Sequence, residues 1–376
     1  MAGIYIHIPF CRQACTYCNF YFSTSLKQKE TFLSALHREI LISQDFIANS
    51  ETIDTIYFGG GTPSLLKKEE LKTIILLIRQ QFTLNNQVEI TLEANPDDIN
   101  DSIVSDWIDM GINRLSVGIQ SFSEAELKWM NRAHNATESL KSIDIIRNAG
   151  IENFSVDLIF GSPLLSDDEL KQNATILIEK NIPHISCYAL TVEPKTTLHH
   201  LVKTNQSAPI DAEKQARQFL ILSDLLESAG YEHYEISNYA KPDMRSKHNS
   251  SYWKGKPYHG FGPSAHSYNG KNKRRWNIAN NALYIDQILK ETTFFEEEIL
   301  TESQQINEHI MISIRTAEGI HLETVEQKFG RENSNTLLKK CAELIESKKI
   351  NIKNNIITLT KEGKLFADGV ASELFF

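Results

Sequence analysis

GIYIHIPFCRQACTYC, residues 3–18, sets a short β-branched run, IYIHI (4–8), directly before Cys11, Cys15 and Cys18, three of the five cysteines in a 376-residue chain. The run reads as a buried strand, and the cysteines sit on the turn after it. The same order recurs down the chain. TIYF (55–58), VEITLEA (88–94), RLSVGIQ (114–120), FSVDLIF (154–160) and HISCYAL (184–190) are strand-like. Between them lie helical patterns such as KQKETFLSALHREILISQDF (27–46), KEELKTIILLIRQQF (68–82) and SDDELKQNATILIEK (166–180), several closed by glycine. The sum is six strand-then-helix repeats. Helical AEKQARQFLILSDLLESAG (212–230) follows, and YEHYEIS (231–237) offers one more strand. Repeated βα units with right-handed crossovers give an open doubly wound sheet or a barrel, complete or partial.

The unusual polar residues favour the barrel. CRQACTYC follows strand one, GGGTPS (59–64) strand two, Glu93 ends strand three, Gln120 strand four, Asp157 belongs to strand five and Ala189 ends strand six. In a barrel, strand carboxyl ends converge on one mouth. Gly and Pro after a strand also make ordinary turns, but six such positions together indicate a shared site.

Composition bounds the function. With 41% hydrophobic residues, the chain can bury one large core and a smaller one. The net charge of -9 argues against electrostatic affinity for nucleic acid, and the basic run NGKNKRR (269–275) reads as a solvated loop. No basic leader and no apolar stretch long enough to span a bilayer are seen, so a cytoplasmic location is expected. Cys187 and Cys341 stand alone in apolar surroundings and read as core.

Three thiolates spaced by three and two residues can wrap one iron-sulfur cluster, since thiolate is the soft donor that such clusters take. Zinc is the rival, but structural zinc prefers four ligands and paired C-x-x-C knuckles. A [4Fe-4S] cube held by Cys11, Cys15 and Cys18 leaves one iron open to something else.

C-x-x-x-C-x-x-C after a first strand resembles the signature of the radical S-adenosylmethionine (SAM) family. YIHIPFC (5–11), YFGGGTPS (57–64), LEANP (92–96), RLSVGIQSF (114–122), DLIFGSP (157–163) and HNSSYW (248–253) extend the resemblance along the chain, to the subfamily of oxygen-independent coproporphyrinogen III dehydrogenase and its heme-chaperone relatives. The resemblance implies an α/β fold: a partial (βα)6 TIM-type barrel over residues 1–240, an HNxxYW loop region and connector over 241–299, and a C-terminal α+β winged-helix-like domain over 300–376. It implies SAM on the open iron. Tyr5, Tyr17, Gly60, Gly61, Thr62, Glu93, Gln120, Arg132, Asp157 and Ala189 match the positions that contact SAM, Ala189 on the local YAL alone. Glycine there lets backbone approach a ligand, and arginine suits a carboxylate.

Two departures separate the branches. The dehydrogenase has Cys-Gly-Cys where this chain has Cys18-Asn19-Phe20, and it has an extension ahead of the first strand where this chain has three residues. Both point toward the heme-chaperone branch. KHNSSYWKGKPYHGFGPSAHSY (247–268) reads as a loop without period. HNSSYW resembles the heme-binding HNxxYW motif, which implies His248 as an iron ligand and Tyr252 and Trp253 as cover for the porphyrin, with His259 and His266 as further imidazoles. The resemblance thus implies heme as cargo and heme-accepting respiratory proteins as recipients. It leaves room for a homodimer and for peripheral membrane association. A dehydrogenase acting on coproporphyrinogen III is the alternative.

Overall fold

The computed structural model describes residues 2–43, 46–47 and 51–376; Gln44 and Asp45, in the tail of the first expected helix, lie outside them. Strands β1 (Ala2–Ile8), β2 (Ile53–Gly60), β3 (Leu84–Ala94), β4 (Arg114–Gln120), β5 (Phe154–Phe160) and β6 (His184–Ala189) lie side by side in that order, each parallel to the next. Side chains alternate across each strand. Ile4, Ile6, Ile8, Ile56, Phe58, Ile90, Leu92, Leu115, Val117, Val156 and Leu158 join the main apolar core. The alternate positions carry Tyr5, Tyr57, Glu93, Ser116, Asp157 and Ser186. The six units thus form a partial (βα)6 barrel with a polar interior. Each crossover helix starts and stops where local chemistry dictates: capping boxes open Ala136–Asn148 (Asn135, Glu138) and Asp167–Glu179 (Ser166, Glu169), and Gly150, at φ +85°, follows the first of these.

Both edges of the barrel sheet are extended. Beyond β6 lie β8 (Asn238–Ala240) and β7 (Glu232–Glu235), both antiparallel to their neighbours. On the other side β9 (Tyr258–Phe261) pairs parallel to β1, followed by β10 (His266–Tyr268), β11 (Lys273–Asn277) and β12 (Phe295–Ile299). The loop reading of 247–268 is therefore corrected; the span 241–299 also holds helix Asn281–Leu289. Its strands are short, and their partners lie far away in sequence, so no local period betrays them. The basic run is corrected in its second half, residues 269–272 staying outside any strand. Lys273–Arg275 lies in β11 and faces the acidic β12, with Lys273 Nζ 2.9 Å and Arg275 Nη2 3.4 Å from Glu297 Oε2. Cross-strand opposite charges stabilise that pairing.

Residues 302–374 carry a separate apolar core that includes Ile310, Val325, Leu337, Cys341 and Val370. Helices Glu302–Ile314, Leu322–Phe329 and Arg331–Glu346 precede a hairpin, β14 (Ile350–Lys353) and β15 (Ile356–Leu359); β13 (Ile320–His321) pairs with β15, and helix Ala367–Leu374 closes the chain. Asn354 and Asn355 turn the hairpin, both at positive φ. Among the described residues no helix is long and apolar enough to cross a membrane.

Candidate functional site

The strand carboxyl ends surround a cavity of about 400 Å³. Its wall brings together Cys11, Cys15, Tyr17 and Cys18 from the loop after β1, Gly60 at the end of β2 with Gly61 and Thr62 after it, Glu93, Gln120, Asp157 and Ala189 from β3 to β6, and Arg132. Tyr5 is set apart: its ring stacks behind the wall, 6.1 Å from Tyr57 and 6.5 Å from His248.

The cysteine loop is tied down by the chain segment after β4. Thr16 N donates to Met130 O at 3.0 Å, Gln13 Nε2 to Asn131 O at 3.0 Å, and Asn131 Nδ2 to Ala14 O at 2.7 Å. Asn131 adopts φ +56°, a region that asparagine tolerates. Arg132 follows, half-buried, with Nη2 donating to Asn95 Oδ1 at 2.7 Å and to Gly118 O at 2.6 Å, and Nη1 3.3 Å from Cys15 Sγ. Burial pushes the Cys11 thiol up to about 11, against a hydrogen bond from Thr62. Burial raises Cys18 as well, and Cys15 adds to it. The Cys11 and Cys18 thiols are thus disfavoured as thiolates, and a bound cation would reverse that. Among the described residues no three His, Cys, Asp or Glu side chains converge closely enough to hold one metal ion. Three separated sulfurs on one wall fit a polynuclear centre in which each takes a different iron, as a [4Fe-4S] cluster requires.

Two carboxylates stand deeper. Glu93 Oε1 accepts from the Tyr57 hydroxyl at 2.8 Å and Oε2 from Gly60 N at 3.1 Å. Burial raises its pKa to about 7, and the nearby Asp157 adds to the shift. Burial raises Asp157 to about 6, against hydrogen bonds from Ser186 and Ser116 and the charge of Arg114. Asp157 Oδ1 and Arg132 Nε are buried with no partner. Buried polar groups left so are ones a ligand or solvent would satisfy, and a ligand carrying both ammonium and carboxylate groups, as SAM does, matches this set. Gln120 is held at φ +69°, backbone strain of the kind that collects at functional sites. Gly60 has its own requirement: at φ +107°, with the His7 ring 2.5 Å from where a Cβ would lie, the position admits only glycine.

The structure adds Tyr57, Asn95, Ser116, Gly118, Ser186, Tyr188 and Asn249 to the wall. Ser116 and Gly118 precede Gln120 at two-residue steps, and Ser186 and Tyr188 repeat the step on β6, so strand alternation could have found them. Asn249 had no such signal.

Asn249 belongs to HNSSYW, and here the loop reading is corrected: Lys247–Trp253 is a helix. Seven residues are too few to display a 3.6-residue period. Ser246 caps it through Asn249 N at 3.2 Å, and Glu89, distant in sequence, accepts from His248 N at 3.1 Å. The helix packs on β1 and β2 near their amino ends and on helix Glu302–Ile314. His248 is buried, with Nδ1 2.8 Å from Thr55 Oγ1, Nε2 2.9 Å from the Tyr252 hydroxyl and its ring stacked on Tyr57 at 4.9 Å. An imidazole so engaged meets iron only if the helix leaves the barrel. Trp253 lines a different cavity, against helix Glu302–Ile314. His259 is buried among Phe46, Phe82 and Phe261, and His266 is exposed and stacks on Trp276.

Residues 5–177 match the family model described as the radical SAM superfamily, and residues 300–366 match the HemN C-terminal domain. The chain is 34% identical over 375 residues to the heme chaperone HemW of Bacillus subtilis, covering 98% of each chain. It is 31% identical to that of Lactococcus lactis (96% of this chain, 93% of the relative) and 36% identical to that of Escherichia coli (70% and 69%). Among solved structures, coproporphyrinogen III oxidase (HemN) from Escherichia coli superposes with a TM-score of 0.86 over all of this chain and 90% of its own, at 21% identity.

Proposed function

Because the chain belongs to the HemW family of the radical SAM superfamily, we propose that it is a heme chaperone, one that binds heme and passes it to acceptor hemoproteins, respiratory ones among them. Cys11, Cys15 and Cys18 hold a [4Fe-4S] cluster in this reading. Gly60, Gly61, Thr62, Glu93, Gln120, Arg132, Asp157 and Ala189 would hold SAM beside the cluster, with Tyr5 and Tyr17 packing around them. When bound, the pair supplies one-electron chemistry or a ligand-dependent brace. This chain's own residues orient it: Arg132 fixes the Cys15 sulfur, and Glu93 offers a carboxylate to a cation. The HNSSYW helix is the heme-facing element, with Trp253 presented to the ligand and His248 and Tyr252 fixing the helix in place.

The observation that carries the reading against the dehydrogenase is the rim after Cys18. There the cavity wall is Asn19 and Phe20, an amide and a ring 66% exposed, where the dehydrogenase branch has a further thiol. A cytoplasmic site of action, a homodimer and peripheral membrane contact are compatible with this role. The test is a titration of heme into cluster-reconstituted protein, followed by transfer to apomyoglobin, with coproporphyrinogen III turnover measured in parallel under reductant and SAM. Tight heme binding without turnover is expected; turnover without heme binding would reverse the assignment.

A further inference from the structure

Helix Lys247–Trp253 distributes its motif among three environments. Asn249 faces the cysteine cavity. His248 and Tyr252 are closed upon each other. Ser250, Ser251 and Trp253 open on the far side, toward the amino ends of β1 and β2, where two neighbouring cavities of about 360 and 220 Å³ share Arg245, Ser250 and Lys254 as a common wall.

The larger of the two is cationic. Arg245, Lys247, Lys254 and Lys256 line it, against one acid, Asp54, whose Oδ1 is already bonded by Asn85 Nδ2 at 2.9 Å. Arg245 is shared with Glu232 and Glu318, but Lys247 and Lys254 are exposed and turned to the cavity. In a chain of net charge -9 this concentration runs against the mean. The smaller cavity has a different character. Trp253 supplies its aromatic wall, with the Arg315 guanidinium 5.7 Å from the ring centre, while Tyr234 lies buried beneath Arg245 at 5.0 Å; both the Trp253 indole nitrogen and His309 Nε2 are buried without a partner. A flat apolar face beside a cluster of cations is the complement of a flat apolar molecule with carboxylates along one edge.

We propose that these paired cavities seat the porphyrin: the ring lies against Trp253, and its propionate carboxylates reach Arg245, Lys247 and Lys254. This rests on the heme-chaperone reading and deepens it, because it places the cargo on the opposite end of the barrel from the cysteines and makes two lysines the determinants of its carboxylate recognition. Both cavities are open to solvent, so a ring seated there keeps an edge exposed for transfer.

The test uses full-length, cluster-reconstituted protein and two probes, ferric heme and its dimethyl ester, in which both carboxylates are masked. Wild type is expected to bind heme about tenfold or more tightly than the ester. In Lys247→Glu/Lys254→Glu that preference should vanish while ester affinity is unchanged, and Lys247→Arg/Lys254→Arg should restore it; iron content and thermal melts confirm that each variant folds. Saturating SAM should leave heme affinity unaltered. A preference that survives charge reversal, or displacement of heme by SAM, would overturn the placement. Wild type that binds neither probe would instead remove the heme reading itself.

Discussion

His248 Nε2 and the Tyr252 hydroxyl lie 2.9 Å apart, one helical turn from each other, and Nδ1 of the same ring meets Thr55 Oγ1 at 2.8 Å. Burial, aided by the charge of Arg114, lowers the imidazole pKa to about 3, so the ring is neutral at physiological pH, with one nitrogen donating and the other accepting. The histidine of HNSSYW is thus a bolt between the motif and the barrel.

His248→Ala should therefore act first on stability. It removes a buried ring and leaves two hydroxyls without partners, at a cost of about 2–4 kcal/mol, whereas Tyr252→Phe removes one hydrogen bond and should cost about 1 kcal/mol. Chemical denaturation of both variants checks the ranking. Heme release to apomyoglobin should be faster in His248→Ala, because the helix that presents Trp253 loosens; equal rates would detach the motif from heme retention.

Each of Cys11→Ser, Cys15→Ser and Cys18→Ser should abolish the visible absorbance of the reconstituted cluster, with iron and acid-labile sulfide falling together. Unchanged iron in Cys15→Ser would refute the shared centre, since that sulfur is the one Arg132 holds in place.

Glu93 gives a pH signature. Its pKa rises from 4.5 to about 7 by burial, with Asp157 contributing. The folded chain therefore keeps this proton to higher pH than the unfolded chain. The contribution of Glu93 to stability is full below the unfolded value and is withdrawn as pH climbs through the interval to about 7. In protein without cluster or SAM, Glu93→Gln should accordingly gain Tm relative to wild type between pH 5 and pH 8. Buried histidines titrate in the opposite sense but cancel in the difference. A difference in Tm that ignores pH would mean that the carboxylate is solvated.

Gly60→Ala should cost more than about 2 kcal/mol, because φ +107° and the His7 ring both reject a Cβ. Gly150→Ala, at φ +85° with no atom within 4 Å of the added carbon, pays only the backbone term of about 1 kcal/mol. Paired thermal melts distinguish steric from conformational loss.

What was legible in the sequence was what repeats. Strand-helix alternation showed the barrel, and Cys11, Glu93, Gln120 and Asp157 stood out because polar residues at strand ends are conspicuous against Ile and Val. Features defined by distant partners were hidden. Helix Lys247–Trp253 has a local cap in Ser246 but needs Glu89 to accept from His248 N, β11 is a strand because the acidic β12 lies opposite it, and Asn249 reaches the cavity only because its helix docks under β1 and β2. The mouth could be read from alternation; the far end of the barrel could not.

The pairing of β1 with β9 also orders events in time. Gly3 has Tyr258 as its partner across the sheet, so on a ribosome the outer edge of β1 stays uncovered until most of the chain has been made. An unpaired strand of Ile4, Ile6 and Ile8 is a template for wrong pairing, and closing so long a loop is slow. The thiols that follow β1 stand beside that open edge meanwhile. Delivery of iron and sulfide before β6 emerges would meet a half-built wall, because the cysteine cavity is lined by residues between Cys11 and Thr191 and by Asn249; β9 adds only the cover over the waiting edge of β1, whose exposure until then invites aggregation.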